Sequence, residues 1–167
     1  MKHAIAVAAV SAMLALFLVV AGCHSKESTP RKVFSSATLS GSEEVPPVQQ
    51  TASGIASLEL SADGHSLHYK ITVVNLRDAM MAQLYLGHAG QNGDLIAWLY
   101  PIGPPPTVIP GLLTGTLAEG TLSATDFMGK MKGKTMNDLD QEIRNGNIYV
   151  NVYTKQHPDG EFRGQVH

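Results

Sequence analysis

The feature that most constrains this chain is strict alternation on both sides of one turn. Ala56, Leu58 and Leu60 alternate with Ser57 and Glu59, and Leu67, Tyr69, Ile71 and Val73 alternate with His68, Lys70 and Thr72. Successive side chains of a β-strand point to opposite faces, so each run has one apolar face and one wet face. Between the runs stands Asp63-Gly64, where glycine supplies the positive φ that a tight hairpin needs. The two runs are expected to pair as an antiparallel hairpin.

The rest of the domain repeats the theme. Further strands are expected near 34–40, 81–87, 95–100, 108–117, 148–154 and 161–166. Pro101 and Gly103-Pro104-Pro105-Pro106 mark a rigid surface loop, since proline lacks the amide proton of a central strand. Short strands separated by turn signals are the pattern of an all-β sandwich or barrel. One stretch departs from it. Thr135-Met136-Asn137-Asp138 resembles a capping box, Met136, Leu139 and Ile143 fall at helical spacing, and Gly146 follows as a stop. A helix over 136–145 is predicted. Ser123-Ala124-Thr125-Asp126 repeats the capping signal and predicts one extra helical turn ended by Gly129. This helical excursion, near 123–146, should cover one open end of the sandwich with its apolar side. The chain's single tryptophan, Trp98, is expected in the core or at its edge.

The start of the chain has a different character. After Lys2, only Ser11 interrupts an apolar run from Ala4 to Val20, which ends in Ala21-Gly22-Cys23. The run is about 17 residues, short of the roughly 20 that span a bilayer. Its basic start and small-residue exit are marks of a processed signal rather than of a retained anchor. The segment resembles the signal peptide and lipobox of bacterial lipoproteins. That resemblance implies cleavage before Cys23 and a diacylglyceryl group on its thiol, which gives a lone cysteine a use where no disulfide partner exists. An uncleaved anchor and an ordinary secretory signal are the alternatives. His24 stands where an aspartate would favour inner-membrane retention, so the outer membrane is expected if the cell has one. Ser25 to Lys32 is polar and aperiodic and reads as a tether. The expected organisation is a signal peptide over 1–22, a lipidated N-terminus and tether over 23–32, and a single domain over 33–167, large enough for a core without disulfides.

Several phrases line up with one family. Leu39-Ser40-Gly41-Ser42-Glu43-Glu44-Val45-Pro46-Pro47-Val48 and Thr51-Ala52-Ser53-Gly54-Ile55-Ala56 resemble the opening of the CHRD domain, named after chordin. Gly87-His88-Ala89-Gly90-Gln91-Asn92-Gly93, Tyr149-Val150-Asn151-Val152 and Pro158-Asp159-Gly160-Glu161-Phe162-Arg163-Gly164-Gln165 continue the match in order. The resemblance covers about residues 37–166. It implies a Greek-key β-sandwich, immunoglobulin-like or superoxide-dismutase-like, and no particular reaction. It also implies a His-X-His pair before the glycine-rich loop and a third histidine after Tyr-Val-Asn-Val. Here Gln83, Tyr85 and Tyr153 occupy those positions, and glutamine and tyrosine are poor replacements for imidazole around zinc or copper.

Three kinds of site were weighed. Alternation puts Gln83 with Tyr85, Tyr149 with Asn151 and Tyr153, and Glu161 with Arg163 and Gln165. If those strands are neighbours, a polar patch results, either a ligand-binding face or a buried network in which Glu161 pairs Arg163 or backbone. Of the histidines in the domain, His65 and His68 sit three apart on a turn and strand and do not share a face. His88 and His157 lie in loops that could approach one another, or be simply exposed; no metal site and no cofactor are assigned. No Gly-X-Ser-X-Gly elbow, triad spacing or phosphate-binding loop is present. A net charge of −2 argues against a nucleic-acid partner, and Lys130, Lys132 and Lys134 read as a solvated loop. The expected function is a non-enzymatic binding or structural module, attached to the bacterial cell envelope membrane through its lipid. A metal-binding or redox protein, related to members that keep the histidines, is the alternative, and a chordin-like protein-interaction role is a third.

Overall fold

The computed structural model describes residues 33–167. The expected signal peptide, Cys23 and the tether lie outside them. The elements are β1 (Val33–Leu39), β2 (Ser53–Leu60), β3 (Ser66–Leu86), β4 (Asp94–Tyr100), β5 (Ile109–Ser123), α1 (Met136–Arg144), β6 (Ile148–Thr154) and β7 (Phe162–Gln165). The fold is all-β with one short helix, as the strand pattern and the family resemblance implied.

The alternating runs pair as expected. Ala56 faces Ile71, Leu58 faces Tyr69 and Leu60 faces Leu67. Gly64 takes φ 70° in the turn, and Ser61 and Asp63 close it through a 2.6 Å bond from the Ser61 hydroxyl to Asp63 Oδ1.

The structure differs from the sequence reading at the next step. The runs around 67–73 and 81–87 are one strand, β3, of 21 residues. The link between them stays extended because the start of β5 pairs along it, Leu76 with Leu113 and Ala79 with Ile109, while β5 runs past its expected end to Ser123 beside the first half of β3. β3 changes direction at Asn75 and Asp78, the two non-glycine residues with positive φ among the described residues, where the ladder also shifts register. Asp78 Oδ1 steadies the bend by accepting from the Gly111 amide at 2.7 Å. The first half of β3 therefore lies between β2 and β5, and the second half between β6 and β4.

The sheet then closes on itself. Its path runs β1-β2-β3-β6-β7, and β7 returns to β1. Ser36 and His167 exchange backbone bonds of 3.0 and 3.1 Å, and Ser40 and Arg163 exchange bonds of 2.9 and 3.3 Å. Closure leaves these strands without a free edge to recruit another chain. The seam depends on Gly164, whose missing Cβ would strike the Thr38 carbonyl oxygen.

Inside the closed sheet Leu39, Leu58, Ile71, Leu84, Ile96 and Phe162 are fully buried. Helix α1 covers one end. Thr135 and Asp138 form the expected reciprocal cap, and Met136, Leu139 and Ile143 bury their stripe against Leu58, Leu60 and Leu67. The expected single turn before it is two, at Ala124–Asp126 and Gly129–Met131. Trp98 is half-buried on β4.

Candidate functional site

Strands β3, β6 and β7 are neighbours, so alternation does gather the polar residues. Gln83 lies opposite Asn151, and Asn151 opposite Arg163. Tyr85 lies opposite Tyr149, and Tyr149 opposite Gln165. The face they form is roofed rather than open. Gln83 is 4 % exposed, Asn151 5 %, and Tyr149 and Arg163 2 % each. Two loops make the roof, residues 41–50 after β1 and residues 87–93 after β3.

Arg163 ties the roof to the sheet. Its Nε donates to the Glu43 carbonyl at 2.6 Å. Its Nη1 donates to the Gln91 carbonyl at 3.1 Å and to Asn92 Oδ1 at 3.2 Å. Asn92 in turn donates to the Val45 carbonyl at 3.1 Å, so the two loops are also joined to each other. The guanidinium lies over the Tyr149 ring at 4.5 Å. Tyr149 stacks on Tyr85 at 5.0 Å with an interplanar angle of 9°, and its hydroxyl accepts from the Gly93 amide at 3.0 Å. A planar guanidinium suits this place because it presents a rigid fork of donors and a face for stacking at once. Gln165 adds a further tie, donating to the Gly87 and Gly146 carbonyls at 3.0 and 2.6 Å.

The positions where the family resemblance implied three histidines converge. Tyr153 donates its hydroxyl to Tyr85 at 2.6 Å, and Tyr85 donates to Gln83 Oε1 at 2.6 Å. Burial pushes the Tyr85, Tyr149 and Tyr153 phenols above their ordinary pKa, so at neutral pH they are hydrogen-bond donors and not bases. Among the described residues, no group of three or more His, Cys, Asp or Glu side chains is placed to hold a metal ion. His88 is exposed in its loop, and His157 Nε2 lies 3.9 Å from Glu161 Oε2.

Glu161 belongs to a different set of contacts from Arg163. Its Oε2 accepts from the Thr154 hydroxyl at 2.8 Å, and Thr154 Oγ1 accepts from the His157 amide at 3.0 Å. The reason is that Arg163 directs its donors upward to the roof. Glu161 stands instead at the wall of an open groove with a volume of about 480 Å³, lined also by Gln49, Gln50, Asn75, Arg77, Gln156 and His157.

Sequence reasoning missed Glu44. It is 4 % exposed, and its carboxylate rests on Gly160, where a Cβ would come within 2.6 and 2.7 Å of the two oxygens. Desolvation by burial pushes its pKa up to about 7, against the opposing pull of Arg163, the Val45 amide and the Asn151 side chain. Glu44 Oε1, Asn151 Oδ1 and Arg163 Nη2 are buried with no hydrogen-bond partner from the protein. The signal that could have found Glu44 is its place in the Glu43-Glu44-Val45-Pro46-Pro47 phrase, because it lies outside any strand and alternation says nothing about it.

Comparison with known proteins follows this geometry. The sequence model of the CHRD domain matches residues 35–166, which takes in both roof loops and every residue of the cluster. The chain is 32% identical over 133 residues to chordin of Xenopus laevis, covering 77% of this chain and 12% of the chordin sequence. The chain thus corresponds to a small part of that longer relative. No solved structure matches it.

Proposed function

Starting from the fact that this chain belongs to the CHRD domain family, we propose that it is a non-enzymatic binding module carried at a bacterial envelope membrane by acylation of Cys23. The observation that supports a binding role is the groove beside Glu161. Its wall is mostly polar, with Gln49, Gln50, Thr51, Asn75, Arg77, Gln156, His157 and Glu161, and includes Ala52 and Leu112 as apolar members. Such donors and acceptors fit a ligand rich in hydroxyl or carbonyl groups. The groove is held in shape from behind, since Thr154 fixes both Glu161 and the His157 backbone. A site held in advance loses less conformational entropy on binding. The roofed tyrosine–arginine cluster supplies the frame and the groove supplies the contact. The lipid reading rests on the run from Ala4 to Val20 and on Ala21-Gly22-Cys23; acyl chains add about 0.8 kcal/mol per buried methylene, so more than one chain holds a domain firmly.

A photo-crosslinking side chain at Gln156, introduced in the living cell, should capture a defined partner that the same probe at Lys70 does not. Identical products from both positions would sink the groove reading. Cys23→Ser should leave the protein unprocessed in size and without acyl chains by mass spectrometry. A mature, acylated product from that variant would sink the lipid reading.

A further inference from the structure

The groove does not use the far end of the sheet, where one loop stands out. Residues 101–108, Pro-Ile-Gly-Pro-Pro-Pro-Thr-Val, carry no charge. Ile102 is 89 % exposed, the most exposed of the large apolar side chains, and Val108 is 37 % exposed. Ile102 borders a recess of about 170 Å³ lined also by Tyr69, Trp98, Leu122 and Met128, with Thr121 and Asp126 as its polar members. An uncharged proline-stiffened loop that holds an isoleucine out in water beside a mostly apolar recess offers a tip to another apolar phase.

The place where the anchored segment enters the domain points to what that phase is. Residues 1–32 enter the described domain at Val33. Val33 pairs with Leu60, Leu60 with Leu67, and Leu67 with Leu122, which lines the recess beside Ile102. Val33 and Leu122 thus lie at the same end of the sheet, three strand spacings or about 15 Å apart, and Ile102 lies beyond Leu122 on the other side of the recess. The stretch from Cys23 to Lys32 reaches at most about 35 Å when fully extended. A bilayer holding the acyl chains of Cys23 is therefore within reach of this end.

We infer that the 101–108 loop is a second membrane contact, with Ile102 entering the headgroup region of the bilayer that holds the anchor and so orienting the domain on it. The inference rests on the acylation of Cys23. Its consequence is a fixed orientation, with the loop against lipid and the Glu161 groove free to face outward. An uncharged apolar tip next to a tether adds a weak contact at high effective concentration, which is enough to orient a domain that the lipid already holds.

Trp98 is the natural reporter, being the only tryptophan of the chain and a lining residue of the recess. The acylated full-length protein is reconstituted into phosphatidylcholine vesicles with plain or brominated acyl chains. Brominated lipid should remove about half of the Trp98 emission, with bromines in the upper part of the chains where a shallow insertion lies. Ile102→Asp should restore the emission while the protein still floats with the vesicles. A second reporter, Ile102→Trp in a Trp98→Phe background, should be quenched more strongly than Trp98. Equal emission in plain and brominated vesicles, with the protein floating, would overturn the contact and leave the anchor standing. A protein that does not float would overturn the anchor and the contact with it. A concentration-dependent shift of Trp98 emission without vesicles would place a second copy of the chain on the loop and overturn the lipid assignment.

Discussion

Glu44→Gln offers the sharpest test of the buried cluster. The wild-type carboxyl has its pKa raised from 4.5 to about 7 in the folded protein, with burial as the largest cause. Between those values the folded state keeps the proton and the unfolded chain releases it. Stability from this group is therefore fully present below about pH 4.5 and is lost as pH rises through about 7. A shift of that size corresponds to about 3 kcal/mol, at 1.36 kcal/mol per unit. Glutamine has the same shape and no charge, and it brings donors toward Asn151 Oδ1, which lacks a partner in the wild type. Urea unfolding of the domain, followed by Trp98 fluorescence at pH 5 and pH 8, reads the effect. The wild type should lose between about 2 and 3 kcal/mol more than the variant between these pH values, because part of the effect is already lost at pH 5; this is a relative midpoint shift of about 1 to 2 M urea. Taking the difference between the two proteins cancels the histidines, which titrate in both. Parallel pH profiles would refute the reasoning, as would a wild type that gains stability relative to the variant as pH rises.

Arg163→Met keeps only the unbranched apolar stem and removes the donors to Glu43, Gln91 and Asn92; a loss of about 3 kcal/mol and a melting temperature lower by about 10 °C are expected in a calorimetric scan. Gly164→Ala drives a methyl into the Thr38 carbonyl at the β1–β7 seam, so the purified variant should lose protection of the Ser36 and Ser40 amides in hydrogen exchange before the β2–β3 hairpin opens. Tyr153→Phe deletes one hydroxyl donor to Tyr85 and should cost only about 1 kcal/mol by denaturant titration, with unchanged near-ultraviolet dichroism from the Tyr85–Tyr149 stack.

How much of this could be read in advance depends on the range of the signal. The β2–β3 hairpin was legible because its period of two and its Asp63-Gly64 turn are local facts. Helix α1 was legible for the same reason, through the Thr135–Asp138 cap and the 136/139/143 stripe. The membership of the polar cluster was also legible, since alternation assigned Gln83, Tyr85, Tyr149, Asn151, Tyr153 and Arg163 to one side of their strands. Its partners were not. Glu161 was expected beside Arg163, and bonds Thr154 instead, because two residues that share a strand face can still be claimed by different loops. Glu44 carried no periodic signal at all, yet it sits at the centre of the buried charge.

The sequence by itself thus determined the local geometry: which segments extend, which one coils, where they turn and which side of each strand is apolar. It also carried the family phrases and the lipobox-like start, which are matters of order along the chain. Only the tertiary structure decided that 66–86 is one bent strand, that β7 returns to β1 and closes the sheet, and that two loops fold over the polar face. Those outcomes depend on contacts between residues far apart in sequence, such as Arg163 with Glu43 and Gln91. Alternation says which way a side chain points, but only the arrival of another segment determines whether it meets water or protein.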